Sequence, residues 1–139
     1  MDFPRPRFLA LCLHAAAPWL LAAAASTAAA QQADNSQFPA AAVGFLSQEL
    51  PQMETAIKER DGDYFRDATS RMLDFSESWG FKTHENPALA NYAVCTEPVS
   101  DFLVVGMCRI LPTSDACEPG LPARFTSNLQ KCREIAARQ

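Results

Sequence analysis

The chain has 139 residues, 12 of them basic and 16 acidic, for a formal net charge of −4, and 48% of its residues are hydrophobic. That length supports one domain around a modest core. The acidic balance argues against a nucleic-acid binder, whose basic groups cover a broad face.

The first 30 residues carry the three-part pattern of a secretory signal. Arg5 and Arg7 make a short positive start, Phe8 to Ala25 is almost wholly apolar, and Ala28-Ala29-Ala30 precedes the polar Gln31. We expect cleavage after Ala30 and a periplasmic or secreted protein with no membrane insertion thereafter. A retained membrane anchor is the rival reading, since Phe8 to Ala30 is just long enough to span a bilayer; His14, Pro18 and the many alanines weigh against it. Leu11 stands before Cys12 where lipid attachment needs a small residue, so Cys12 leaves with the signal. Loss of Asp2, Arg5 and Arg7 leaves 10 basic and 15 acidic groups, a net charge of −5. Of these, residues 31–120 hold 6 basic and 14 acidic groups, and residues 121–139 hold 4 basic and 1 acidic.

Residues 31–37, "QQADNSQ", read as a flexible lead-in to a single helical domain over 38–139. Val43, Leu46, Leu50, Met53 and Ile57 are spaced as one face of a first helix. Pro51 lies within it and should kink or divide it, because proline lacks the N–H the helix needs. Gly62 then suits the helix end and Asp63 the cap of the next helix, whose apolar face is Tyr64, Ala68, Met72, Phe75 and Trp79. Gly80 stops that helix, with Phe81 folding back on its last turn. Asn86-Pro87 opens a third helical stretch through Leu89, Tyr92 and Cys95, with a kink expected at Thr96-Glu97-Pro98. Val99 to Leu111 is read as helix; a short buried strand is the alternative, since Val104, Val105 and Gly106 are poor helix formers. "LPTSDACEPGLP" is a loop, and Pro122 opens a last helix with Leu121, Phe125, Leu129, Cys132 and Ile135 on one side. The expected fold is all-α: a small four-helix antiparallel bundle, kinked at Pro51 and Pro98, ending in a stapled helical hairpin.

Without Cys12 the chain keeps Cys95, Cys108, Cys117 and Cys132. None of them forms the Cys-x-x-Cys pair that zinc ribbons and dithiol redox motifs need to bring two sulfurs together. An even number in a small exported domain reads as two disulfides, for which three connectivities exist. A hairpin turning near residue 114 favours nested bonds, Cys108–Cys117 inside and Cys95–Cys132 outside. On one straight helix Cys95 and Cys108 would differ by roughly 140°, so the nested pairing calls for the break at Pro98. Chain entropy assigns about 4 kcal/mol to the outer bond and about 2.7 kcal/mol to the inner. The two cysteine-bearing arms resemble, in outline, the twin-cysteine hairpins of the coiled-coil-helix family. Their longer spacings and the secretory signal depart from that family, and the resemblance implies a hairpin shape without a function.

No nucleophile–base pair or phosphate-binding glycine loop stands out, so no catalytic residue, metal site or cofactor is assigned and the protein is not expected to be an enzyme. "RDGD" has carboxylates, but Gly62 falls at the wrong place for a calcium loop. A b-type haem carrier, using His84 with Met53, Met72 or Met107, is a remote alternative. The leading expectation is a non-enzymatic exported protein that binds another protein in the cell envelope, in an immunity-type role or as an accessory of secretion or conjugation. Its candidate partner surface is the acidic ridge Glu49, Glu54, Glu59, Asp61, Asp63 and Asp67. The second expectation is an acid- or envelope-stress chaperone, opened by protonation of its carboxylates.

Overall fold

A computed structural model describes residues 34–81 and 86–139. The signal segment, Cys12 and His84 lie outside the described residues. Four helices form an all-α antiparallel bundle: α1 (Phe38–Glu59), α2 (Gly62–Trp79), α3 (Ala93–Ile110) and α4 (Leu121–Ala136), with short 3-10 segments at Asn35–Gln37 and Pro87–Tyr92. Among the described residues there is no strand, and Val99 to Ile110 lies within α3 rather than pairing with a neighbour. No helix among them is long and apolar enough to cross a membrane.

The core face of α1 is Phe38, Ala42, Leu46, Glu49, Met53 and Ala56. The expected face is therefore rotated: Val43, Leu50 and Ile57 are only half-buried and pack along the flank. The small alanines at 42 and 56 let neighbouring helices approach closely, which hydropathy spacing alone does not weigh. On α2 the buried set is Phe65, Ala68, Met72 and Ser76, with Tyr64, Phe75 and Trp79 half-buried beside it. On α4 it is Leu121, Phe125, Leu129 and Cys132. Phe38 anchors one end of the bundle, with its ring 5.2 Å from Trp79, 5.7 Å from Phe81 and 6.2 Å from Phe75. Full burial of each such side chain is worth about 1.5–3 kcal/mol.

Three boundaries differ from expectation. Arg60, not Gly62, ends α1 in the left-handed region at φ 56°. The N–H of Asp61 donates to the carbonyl of Ala56 at 2.9 Å and that of Arg60 to Ile57 at 3.4 Å, so a Schellman turn closes the helix. Asp61, not Asp63, then caps α2, its Oδ1 accepting from the N–H groups of Asp63 at 2.9 Å and Tyr64 at 3.3 Å. Thirdly, Asn35–Gln37 of the expected lead-in is a 3-10 turn, and Asn86 Nδ2 donates to Asn35 Oδ1 at 2.7 Å and to the Trp79 carbonyl at 3.0 Å.

Both prolines lie inside continuous helices. The change of geometry before Cys95 occurs at Tyr92, φ −117° and ψ 31°, where the 3-10 segment passes into α3. The sulfurs pair as Cys95–Cys132, S–S 2.07 Å, and Cys108–Cys117, S–S 2.07 Å. This nested pairing does not need a break at Thr96-Glu97-Pro98. Cys117 stands in the loop before α4, not on a helix, and the loop brings it to the side of α3 that Cys108 occupies. Cys95, near the start of α3, meets Cys132, near the end of α4, as antiparallel neighbours must. Two disulfides are the mark of an oxidising, non-cytosolic compartment.

Candidate partner-binding surface

Helix α1 touches each of the other three helices, as α3 also does. The residues of the acidic ridge consequently have different fates. Glu49 points inward and is 4% exposed. Arg71 of α2 grips it with two bonds, Nε to Oε1 at 2.6 Å and Nη2 to Oε2 at 2.8 Å. The Tyr64 hydroxyl lies 3.0 Å from Glu49 Oε2 and 3.0 Å from the Glu49 carbonyl, and the Arg71 guanidinium sits 5.7 Å from the Tyr64 ring centre. Glu49 is held below the usual glutamate range, chiefly by the Arg71 hydrogen bonds; burial opposes that effect and Tyr64 adds to it. Tyr64 is pushed above the ordinary tyrosine value, first by burial and then by the carboxylate beside it. Spacing could have exposed this cluster: Glu49 is three residues after Leu46 and four before Met53.

Glu54 is half-buried and pairs with Arg109 of α3, which lowers the Glu54 pKa and raises that of Arg109. Asp61 is spent on the α2 cap. Exposed Asp63 and Asp67 flank Arg66, at 3.1 Å and 3.8 Å, a contact worth little in water. Glu59, Asp61, Asp63 and Asp67 thus gather at the α1–α2 turn, while Glu49 and Glu54 turn toward other helices. The basic C-terminal segment partly complements the acidic body: Arg124 lies 3.5 Å from Asp101 and 3.4 Å from Glu118.

A different surface stands out on the cysteine hairpin. Leu103, Val104 and Met107 of α3, with Cys108, Leu111, Ser114, Ala116 and Cys117, line an open groove of about 260 Å³. Met107 is 37% and Leu111 53% exposed, and both project here. The wall opposite α3 is the loop segment that the Cys108–Cys117 bond ties down. A second, more polar cavity of about 280 Å³ lies against Phe81, Asn86, Leu89 and Thr96.

The methionines named for haem are placed differently from one another. Met53 and Met72 pack in the core at 2% and 7% exposure, while Met107 lies in the groove. Among the described residues no cluster of three or more histidines, cysteines or carboxylates is placed to hold a metal ion. Comparison with protein-family models, curated proteins and solved structures found no match.

Proposed function

We propose that the mature chain is a periplasmic or secreted, non-enzymatic helical domain that works by binding another protein, with the α3–loop groove as its main contact. The observation that carries this reading is the meeting of two large exposed apolar side chains, Met107 and Leu111, in one groove on a stapled hairpin. An apolar pocket rimmed by polar residues is the usual seat of a partner's anchoring side chain. The ion pairs of Arg109 with Glu54 and of Arg124 with Asp101 and Glu118 are not part of the groove's lining and are held by their own partners. The exposed carboxylates at the α1–α2 turn form a secondary face for a basic partner.

The test is capture of the tagged protein from its native envelope, with Leu111→Glu alongside. A single stoichiometric partner retained by the wild type and lost by the variant, with unchanged circular dichroism, supports the reading. Retention by the variant removes the groove from it.

Glu49 favours a second reading, the acid-responsive chaperone. Its buried carboxylate joins α1 to α2 through Arg71 and Tyr64, so protonation loosens that contact. Many weak clients captured only in acid would support it, and capture of no protein at all would count against both readings.

A further inference from the structure

The two disulfides have opposite surroundings. Cys95 and Cys132 are each 0% exposed, inside the core between α3 and α4. Cys108 and Cys117 are half-buried, and both line the open groove. Thiol–disulfide exchange requires a thiolate to reach a sulfur atom; the groove gives that access and the core denies it.

The segment closed by the Cys108–Cys117 bond also has few other ties. Residues 111–116 are all exposed. Their backbone bonds are local: Leu111 N–H to the Met107 carbonyl at 2.8 Å, Ser114 to Leu111 at 3.2 Å and Cys117 to Ser114 at 2.9 Å. The next buried residue is Leu121, at the start of α4. Opening Cys108–Cys117 therefore releases a surface loop without removing a core side chain.

We propose that Cys108–Cys117 is a thiol-exchange site, opened by a dithiol reductant, and that its reduction frees the loop and bares the α3 strip Leu103, Val104 and Met107. This does not rest on the partner-binding reading. One thiolate of the reductant attacks Cys108 Sγ, forming a mixed disulfide; the Cys108–Cys117 bond breaks, and Cys117 leaves as a thiolate and takes up a proton. The reductant's second thiolate then attacks its own sulfur in that mixed disulfide. Cys108 is released and protonated, and the reductant departs as a disulfide. Two electrons and two protons have passed to the chain. Cys108 is in the last turn of α3, where free carbonyls disfavour a thiolate, and Cys117 Sγ also faces one carbonyl, that of Leu111 at 3.5 Å. The mirror order, with Cys117 attacked first, balances in the same way.

The experiment is graded dithiothreitol at neutral pH on the purified protein, followed by alkylation and peptide mapping. Cys108 and Cys117 should be alkylated roughly a hundredfold faster than Cys95 and Cys132, which react only through opening of the core. Far-UV circular dichroism should hold, and hydrogen exchange should quicken at residues 111–117. Similar rates for the two bonds, reversal of their order, or resistance of both until the helices melt would overturn the proposal. A Cys108→Ser, Cys117→Ser double variant gives an independent check. It should remain helical and reproduce the exchange pattern of the reduced protein; if it unfolds, the bond is structural and the proposal fails.

Discussion

Glu49 occupies a position that the helix repeat assigns to the core, and Arg71 is what makes that tolerable. A carboxylate buried without a partner costs several kcal/mol, whereas here both oxygens accept from one guanidinium and one also meets the Tyr64 hydroxyl. Arg71 is itself half-exposed, so water can partly replace it. Arg71→Met should accordingly cost about 1.5–3 kcal/mol, read as a lower urea midpoint at neutral pH. It should also raise the Glu49 pKa toward or above the ordinary value, visible by carboxyl-carbon NMR. Arg60 tells the opposite story. It holds φ 56° at the end of α1, a conformation that penalises any side chain with a Cβ. Arg60→Gly keeps the Schellman bonds and should add about 1 kcal/mol of stability, seen as a higher thermal midpoint with unchanged helix content.

Gly106 is the element-scale counterpart, on the face of α3 that meets Met53 of α1 and Phe65 of α2. A Cβ there would lie 2.5 Å from Met53 Sδ and 2.9 Å from the Phe65 ring. Gly106→Ala should improve helix propensity yet lose about 1–3 kcal/mol through overpacking, measured by chemical denaturation; a neutral result would mean that Met53 swings clear. Gly106 also shows why the sequence was legible only in part. Four helices could be read from apolar spacing, and α4 face and start alike, because Leu121, Phe125, Leu129 and Cys132 are large and regularly placed. The α1 face differs from its apolar spacing because its members include Ala42, Ala56 and a paired glutamate, which hydropathy scores poorly. Pro98 reads as a break, yet α3 runs through it, because its packing against α1 and α4 outweighs one missing N–H. The acidic ridge is legible as charge, and Asp63 with Arg66 as an i,i+3 pair on one helix, but the pairings of Glu49 with Arg71 and of Glu54 with Arg109 join residues on different helices. The groove is hidden altogether: Met107 and Leu111 sit in an apolar run that reads as core, and the loop's return to Cys108 supplies the groove's second wall.

At the scale of the whole molecule, acid and the staples act on the same bundle by different routes. Glu49 and Glu54 have folded pKa values below their ordinary one. Their stabilisation is therefore complete above the ordinary glutamate value and is lost as pH falls through the lowered folded values. Tyr64, raised on folding, works in the other direction: its contribution is intact below the ordinary tyrosine value and disappears as pH rises through the folded one. No disulfide crosses the contacts of α1 with α2 or α3. The α1–α2 contact holds the buried carboxylate, Glu49, while the Glu54–Arg109 pair to α3 is half-exposed and worth little, so acid should act chiefly on α1–α2. The α3–α4 hairpin is held by Cys95–Cys132, whose closed loop contributes about 4 kcal/mol against about 2.7 kcal/mol for Cys108–Cys117, in a domain expected to have about 5–15 kcal/mol in all. Below about pH 4, where carboxylates titrate, the oxidised protein should lose near-ultraviolet dichroism and bind an apolar dye while keeping much of its helix, with the hairpin still joined. A Cys95→Ala, Cys132→Ala variant should reach that state at a higher pH and with less residual helix; the Cys108→Ser, Cys117→Ser variant should shift the midpoint less. If both variants moved the acid midpoint equally, the buried bond would hold no special place in the bundle, and the division into an acid-sensitive α1–α2 contact and a covalently kept hairpin would be wrong.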